Sequence, residues 1–150
     1  MSTTASQPSC ALRQYRIKRL LIEERRDADS KPDLRLIPDV CFRADSKEYR
    51  TVLRCEYANG KTLFQAVIEG DFEFKEVVGQ SNAMHAWVNG GTVLYGILRG
   101  LYSGVAAQCT GAIDILPTVM MVDYVKQRIQ ELVDKASEEK SKVEPPKTEN

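Results

Sequence analysis

The stretch EYRTVLRCEY at 48–57 alternates cleanly, and that alternation constrains the fold more than any other feature of the sequence. Tyr49, Thr51, Leu53, Cys55 and Tyr57 fall on one face, while Arg50, Arg54 and Glu56 fall on the other with Val52. A period of two puts successive side chains on opposite faces, so this is a strand with one face buried and one wet. ANGKT at 58–62 supplies an Asn-Gly hairpin turn, and LFQAVIEGDFEFKEV at 63–77 returns from it. Gly70 interrupts the returning run as a bulge or bend would. Two extended patterns precede the hairpin, YRIKRLLIEE at 15–24 and LRLIPDVCFRAD at 34–45, joined by the polar crossover RRDADSKPD. Pro38 favours an edge position or a kink in the second of them.

Helical periodicity takes over afterwards. One pattern runs from Ser81 to Cys109, with NGG at 89–91 as the point where it would break. A second opens after Pro117, where Val122, Val125, Ile129, Leu132, Val133 and Ala136 recur at steps of three and four as a buried stripe does. SEEKSKVEPPKTEN at 137–150 is charged, contains proline and has almost nothing to bury, which predicts a disordered tail. The expected division is a disordered N-terminus over 1–13, one domain over 14–136 and the tail over 137–150. Four strands followed by two helices is an α+β order, a four-stranded antiparallel sheet with both helices packed on one face.

Within the first helix, Gly96, Gly100 and Gly104 stand four residues apart. Each costs a helix roughly 1 kcal/mol relative to alanine. At about 100° per residue they form a stripe with Val93 and Ala107. Leu94, Ile97, Leu98, Leu101 and Val105 lie beside it, and only the arc of Tyr95, Arg99, Tyr102 and Ser103 is polar or amphipathic. Small residues at this spacing pack membrane helices, but Arg99 near the centre would cost roughly 2.5–3.5 kcal/mol on insertion. A phosphate loop would need a lysine and a strand-to-helix context that are missing here. The remaining reading is close approach of another backbone, either the chain's own second helix or the same helix of another subunit.

The totals exclude several function classes. Lysine plus arginine and aspartate plus glutamate both number 21, so net charge is zero and nothing draws the chain to nucleic acid or anionic lipid. MSTTASQPSCALRQ lacks the charged start and apolar run of a secretory signal. The four cysteines have no paired spacing and read as reduced thiols in the cytoplasm, with Cys41, Cys55 and Cys109 as small buried hydrophobes. His85 is the single histidine, too far from any cysteine for zinc, and is expected to be partly buried beside Met84 and Trp87. No nucleophile, metal or dinucleotide motif occurs, so no cofactor is implied and an enzyme is disfavoured. Glu69, Asp71, Glu73 and Glu76 read as a solvated acidic surface.

Taken in order, these pieces resemble the SecB family of bacterial export chaperones and its SecB-like relatives over about residues 15–130. LIPDVCFRAD is similar to the family's crossover, EYRTVLRCEY to its tyrosine-led third strand and LFQAVIEGDFEF to its fourth. VLYGILRGLYSGVAAQCTGAIDILP looks like its long first helix, with Arg99 at the family's arginine, and the loop after it. The chain departs from the pattern at Ile37, where the family carries an aromatic, and in the aromatic-free loop followed by Met120 and Met121. It therefore resembles a divergent member. The resemblance implies a homotetramer built as a dimer of dimers, with Gly96, Gly100, Gly104 and Ala107 at an interface. It implies ATP-independent holding of unfolded preproteins for export. Ile37, Pro38 and Val40 would form one wall of the client groove, and Ile113, Ile115, Leu116, Met120, Met121 and Tyr124 the other. Glu69, Asp71 and Glu73 resemble the surface that docks the motor SecA. Two alternatives remain: a dedicated chaperone of a toxin–antitoxin system, and, in a different class, a small α+β ligand-binding protein or hotdog-like enzyme. The last would insert its long helix between strands.

Overall fold

A computed structural model describes residues 10–27, 29–111 and 113–143. The chain forms β1 (Cys10–Glu24), β2 (Asp33–Phe42), β3 (Glu48–Ala58), β4 (Thr62–Phe74), α1 (Ala83–Thr110) and α2 (Met121–Val143), in that order. The expected α+β fold is present, with no helix between strands among the described residues. The sheet order is β1-β4-β3-β2, antiparallel throughout. The chain thus leaves β1 at one edge, crosses to β2 at the other, and fills the interior with two successive hairpins. Pro38 lies in edge strand β2, opposite Leu53, where its missing N–H leaves no gap in the ladder.

The alternation in β3 resolves as expected. Tyr49, Thr51, Leu53, Cys55 and Tyr57 are all buried beneath the helices, together with Phe64, Ile68 and Phe72 of β4. Leu94, Leu98 and Tyr102 of α1 close the core from above. The turn joining β3 to β4 works differently from what an Asn-Gly pair suggests. Neither Asn59 nor Gly60 has a positive φ, so the reversal does not rely on left-handed backbone. Instead the Asn59 side-chain oxygen accepts the N–H groups of Lys61 and Thr62, at 2.9 and 2.8 Å.

Three glycines act differently from their sequence reading. Gly70 causes no bulge: β4 is continuous, and a Cβ there would stand 2.8 Å from Leu94 Cδ2 and 3.2 Å from Leu12 Cδ1. It is a seat for the helix. The register irregularities fall in β1, between Leu12 and Gln14 and between Ile17 and Arg19. Nor does α1 break at NGG. A Cβ on Gly90 would collide with Thr51 Oγ1, and one on Gly91 would sit 3.0 Å from Met121 Cγ and Sδ. These two glycines let the helix touch the sheet on one side and receive α2 on the other. Gly111, at φ 72°, ends α1 by donating its N–H to the Ala107 carbonyl.

Other expectations shift. β1 starts at Cys10, ahead of the predicted boundary at 14, and α2 continues to Val143, past the boundary at 136. Residues 137–142 are helical yet exposed, with the Ser137 and Ser141 hydroxyls donating to carbonyls four residues back. The rest of the predicted disordered ends, 1–9 and 144–150, lies outside the described residues. The stripe of α2 is only partly used: Val125 is buried, but Leu132 and Val133 are 41% and 53% exposed because the helix has run past the sheet. Only Cys55 behaves as a buried thiol, its pKa pushed up to about 12 chiefly by burial. Cys41 and Cys109 are exposed. His85 is exposed as well, with its ring edge on Phe74. No described helix is long and apolar enough to cross a membrane.

The seat at Gly90 gives a direct prediction. Gly90→Ala forces Thr51 and Tyr49 apart, and overpacking of this kind costs about 1–3 kcal/mol. Calorimetry should show a lower melting temperature despite alanine's higher helix propensity.

Candidate functional site

The polar arc of α1 has a definite task. Tyr95, Arg99 and Tyr102 follow one another at steps of four and three, so they line one side of the helix. The Tyr95 hydroxyl donates to the Pro117 carbonyl at 2.6 Å. Arg99 Nε donates to the Leu116 carbonyl at 3.1 Å, and the Tyr102 hydroxyl donates to the Asp114 carboxylate. Three successive rungs on the helix thus hold three points of the loop between α1 and α2, in reverse order. Burial pushes the pKa of both tyrosines up, with Asp114 adding to the rise at Tyr102. They remain neutral donors through the physiological range.

Pinned this way, the loop sorts its apolar residues. Leu116 is fully buried, and Met121 fits over Gly91. Ile113, Ile115 and Met120 point outward, 84%, 55% and 68% exposed. The residues expected to line a groove therefore divide. Pro38, Leu116 and Met121 belong to the core. Val40 and Tyr124 are partly buried against it. Ile37 pairs with Arg54 and lies on the opposite face of the sheet from Val40, which pairs with Thr51. A period of two does not allow Ile37 and Val40 to share a wall. What the structure brings together is the outward row on the loop. A cavity of about 850 Å³ opens beside Ile113, walled by the crossover at Arg25 and Arg26, the turn at Lys61 and the end of α1.

Glu69, Asp71 and Glu73 do lie on the outer sheet face, but they do not form an acidic patch. Arg13 pairs with Glu73, Arg16 reaches Glu69 at 2.7 Å, and Arg50 reaches Asp71 at 2.6 Å and Glu69 at 3.1 Å. Arg16 and Arg50 stand in register with Glu69 and Asp71 on the strands on either side, while Arg13 reaches Glu73 from the irregularity in β1. Hydrogen bonds from Arg50 and Gln14 hold the Asp71 pKa below its ordinary value. The surface is a ladder of opposite charges.

Gly96, Gly100 and Gly104 face away from both the sheet and α2. A Cβ on any of them would meet nothing within 4 Å. The reading in which the stripe packs against the chain's own second helix is therefore corrected: Gly91 makes that contact. Val93 shares the open side, and Ala107 is half-buried beside it. Tyr15, Ile17 and Leu20 of β1 are also exposed, on the sheet face that α1 covers, since they pair with Gly70, Ile68 and Ala66.

Against known proteins, no family model matches the chain and no curated protein matches it. Solved structures do match. One is a Mycobacterium tuberculosis SecB-like chaperone, Rv1957, in complex with a ChAD peptide from the HigA1 antitoxin Rv1956. It aligns with a TM-score of 0.57 at 14% identity, covering 74% of this chain and 91% of that one. A Streptococcus agalactiae protein of unknown function aligns at 0.46 and 9% identity, covering 73% and 97%. The fold is distantly SecB-like.

The residues missed by sequence reasoning are the anchors. Tyr95, Arg99 and Tyr102 were legible as one arc, but nothing in the sequence said that their partners were loop carbonyls. Asp114 carried no signal beyond being the single acid in an apolar loop.

Proposed function

We propose that this protein is a chaperone and not an enzyme, holding non-native polypeptide without ATP on the outward row of the loop between its helices. The observation that carries this reading is the exposure of Ile113, Ile115 and Met120 on a loop that its own helix clamps in place. Exposed apolar residues held apart from the core suit extended chains of many sequences, and methionine adapts to their shapes. The SecB-like fold supports the same reading.

Two versions differ in their client. Holding preproteins for export, with SecA as the receiving motor, is the first. A dedicated role toward one client, of the kind an antitoxin is, gains support from the pairing of Glu69, Asp71 and Glu73 with arginines, which occupies the carboxylates expected to dock a motor. It also gains support from the antitoxin peptide bound to the Mycobacterium tuberculosis protein. We favour the second. In either version the protein works in the cytoplasm as a homotetramer, a dimer of dimers whose α1 helices meet along Gly96, Gly100, Gly104 and Ala107.

Suppression of aggregation by a reduced, unfolded polypeptide tests the client surface. The wild-type chain should lower light scattering at stoichiometric amounts. Ile113→Ser, Ile115→Ser and Met120→Ser together should weaken binding by well over about tenfold, since full burial of each such side chain is worth about 1.5–3 kcal/mol. An unchanged triple variant would overturn the assignment. Assembly has its own test in Gly100→Leu. Open space at Gly100 means that one subunit tolerates the leucine. Light scattering should therefore report a mass near four times 16.9 kDa for the wild type and a smaller species for the variant. An unchanged mass would remove the stripe from the interface.

A further inference from the structure

We infer that Asp114 is a positioning residue, whose carboxylate, gripped at once by Tyr102 of α1 and Asn59 of the β3–β4 turn, keeps Ile113 and Ile115 turned outward. The inference rests on the chaperone reading above and names what sets the shape of that surface.

Both jaws of the grip are rigid. Tyr102 is fully buried, with its ring edge-on to Tyr57 at 5.7 Å and to Phe64 at 5.0 Å. Asn59 cannot turn, because its oxygen already accepts Lys61 and Thr62 N–H groups. Its remaining amide Nδ2 donates to Asp114 Oδ2 at 2.8 Å, the same oxygen that takes the Tyr102 hydroxyl. Asp114 Oδ1 accepts the N–H of Ile115 at 2.9 Å. One side chain therefore ties the loop to a helix, to a sheet turn and to its own next residue. Bonds to a charged acceptor are roughly twice as strong as neutral ones.

The geometry fixes direction as well as place. Asp114 points inward to its donors, while Ile113 and Ile115 on either side are 84% and 55% exposed. Water opposes that exposure, since apolar side chains gain by burial, and the cavity that Ile113 and Asp114 border leaves the loop room to move. Released from the grip, the loop would be free to fold its isoleucines back against the protein, and the outward row would be lost.

The test measures affinity for a reduced, unfolded polypeptide in five chains: wild type, Asp114→Ala, Asp114→Asn, the double variant Ile113→Ser/Ile115→Ser, and that double variant with Asp114→Ala. Asp114→Ala should weaken binding about tenfold, the scale of one lost bond to a charged group. Asp114→Asn can keep its oxygen toward Tyr102 and Asn59 but turns an NH2 toward the Ile115 N–H and loses the charge, so its binding should fall between wild type and Asp114→Ala. In the double-serine background, Asp114→Ala should have no further effect, because a residue acting through two others is silent once they are gone. Equal binding by wild type and Asp114→Ala would overturn the inference and leave the chaperone reading standing. The same loss in both backgrounds would also overturn it, as a general effect on the fold. Absence of binding by the wild type would remove the chaperone reading and the inference with it. Should Asp114→Ala fail to fold, Tyr102→Phe removes one jaw and keeps the packed ring, and its effect must likewise vanish in the double-serine background.

Discussion

The interaction on which the proposed client surface depends is the clamp of α1 on the loop that follows it. A loop of apolar sequence in water collapses onto the nearest core unless its backbone is held elsewhere. Here Tyr95 and Arg99 take the carbonyls of Pro117 and Leu116, and Leu116 descends into the core between them. Each hydrogen bond contributes only about 0.5–1.5 kcal/mol net. Together they decide which of the loop's side chains are buried and which are offered. The clamp in turn needs α1 to lie at one height above the sheet, and Gly70 and Gly90 set that height by admitting Leu94 and Thr51.

Glycine thus serves two ends in one helix. At Gly90 and Gly91 its lack of a side chain is used within the subunit, and any Cβ would meet Thr51 or Met121. At Gly96, Gly100 and Gly104 the space stays open, so a single subunit gains nothing from the conformational cost. In the assembly proposed above, a second copy approaching along that side would recover the cost through backbone proximity. Tyr15, Ile17, Leu20 and Val93 are exposed as well, apolar area that the proposed assembly would cover.

Much of the fold was legible because the strands of the hairpin and the helices differ in period. The clean alternation at 48–57 gave the face of every residue it contained, and Tyr49, Thr51, Leu53, Cys55 and Tyr57 are buried accordingly. Pro38 signalled an edge or a kink for the same kind of local reason, its missing N–H, and it stands in the edge strand. What the sequence concealed was the depth of each residue. Met120 and Met121 are adjacent and chemically identical, yet one is 68% exposed and the other 4%, a division made by Gly91 thirty residues away. Ile37 and Val40 looked like one wall until the strand placed them on opposite faces. Glu69, Asp71 and Glu73 looked acidic until β1 and β3 brought arginines alongside them. The methionines and the acids are decided by long-range pairings, about which a local pattern carries no information, whereas the period of two by itself already separates Ile37 from Val40.

Whether the loop between the helices receives a non-native chain is decided by hydrogen exchange read by mass spectrometry, with and without an excess of a reduced, unfolded polypeptide. Added protection is expected chiefly at residues 113–120 and the first turn of α2. Protection elsewhere with none in that loop, or none anywhere, would rule the loop out as the client surface.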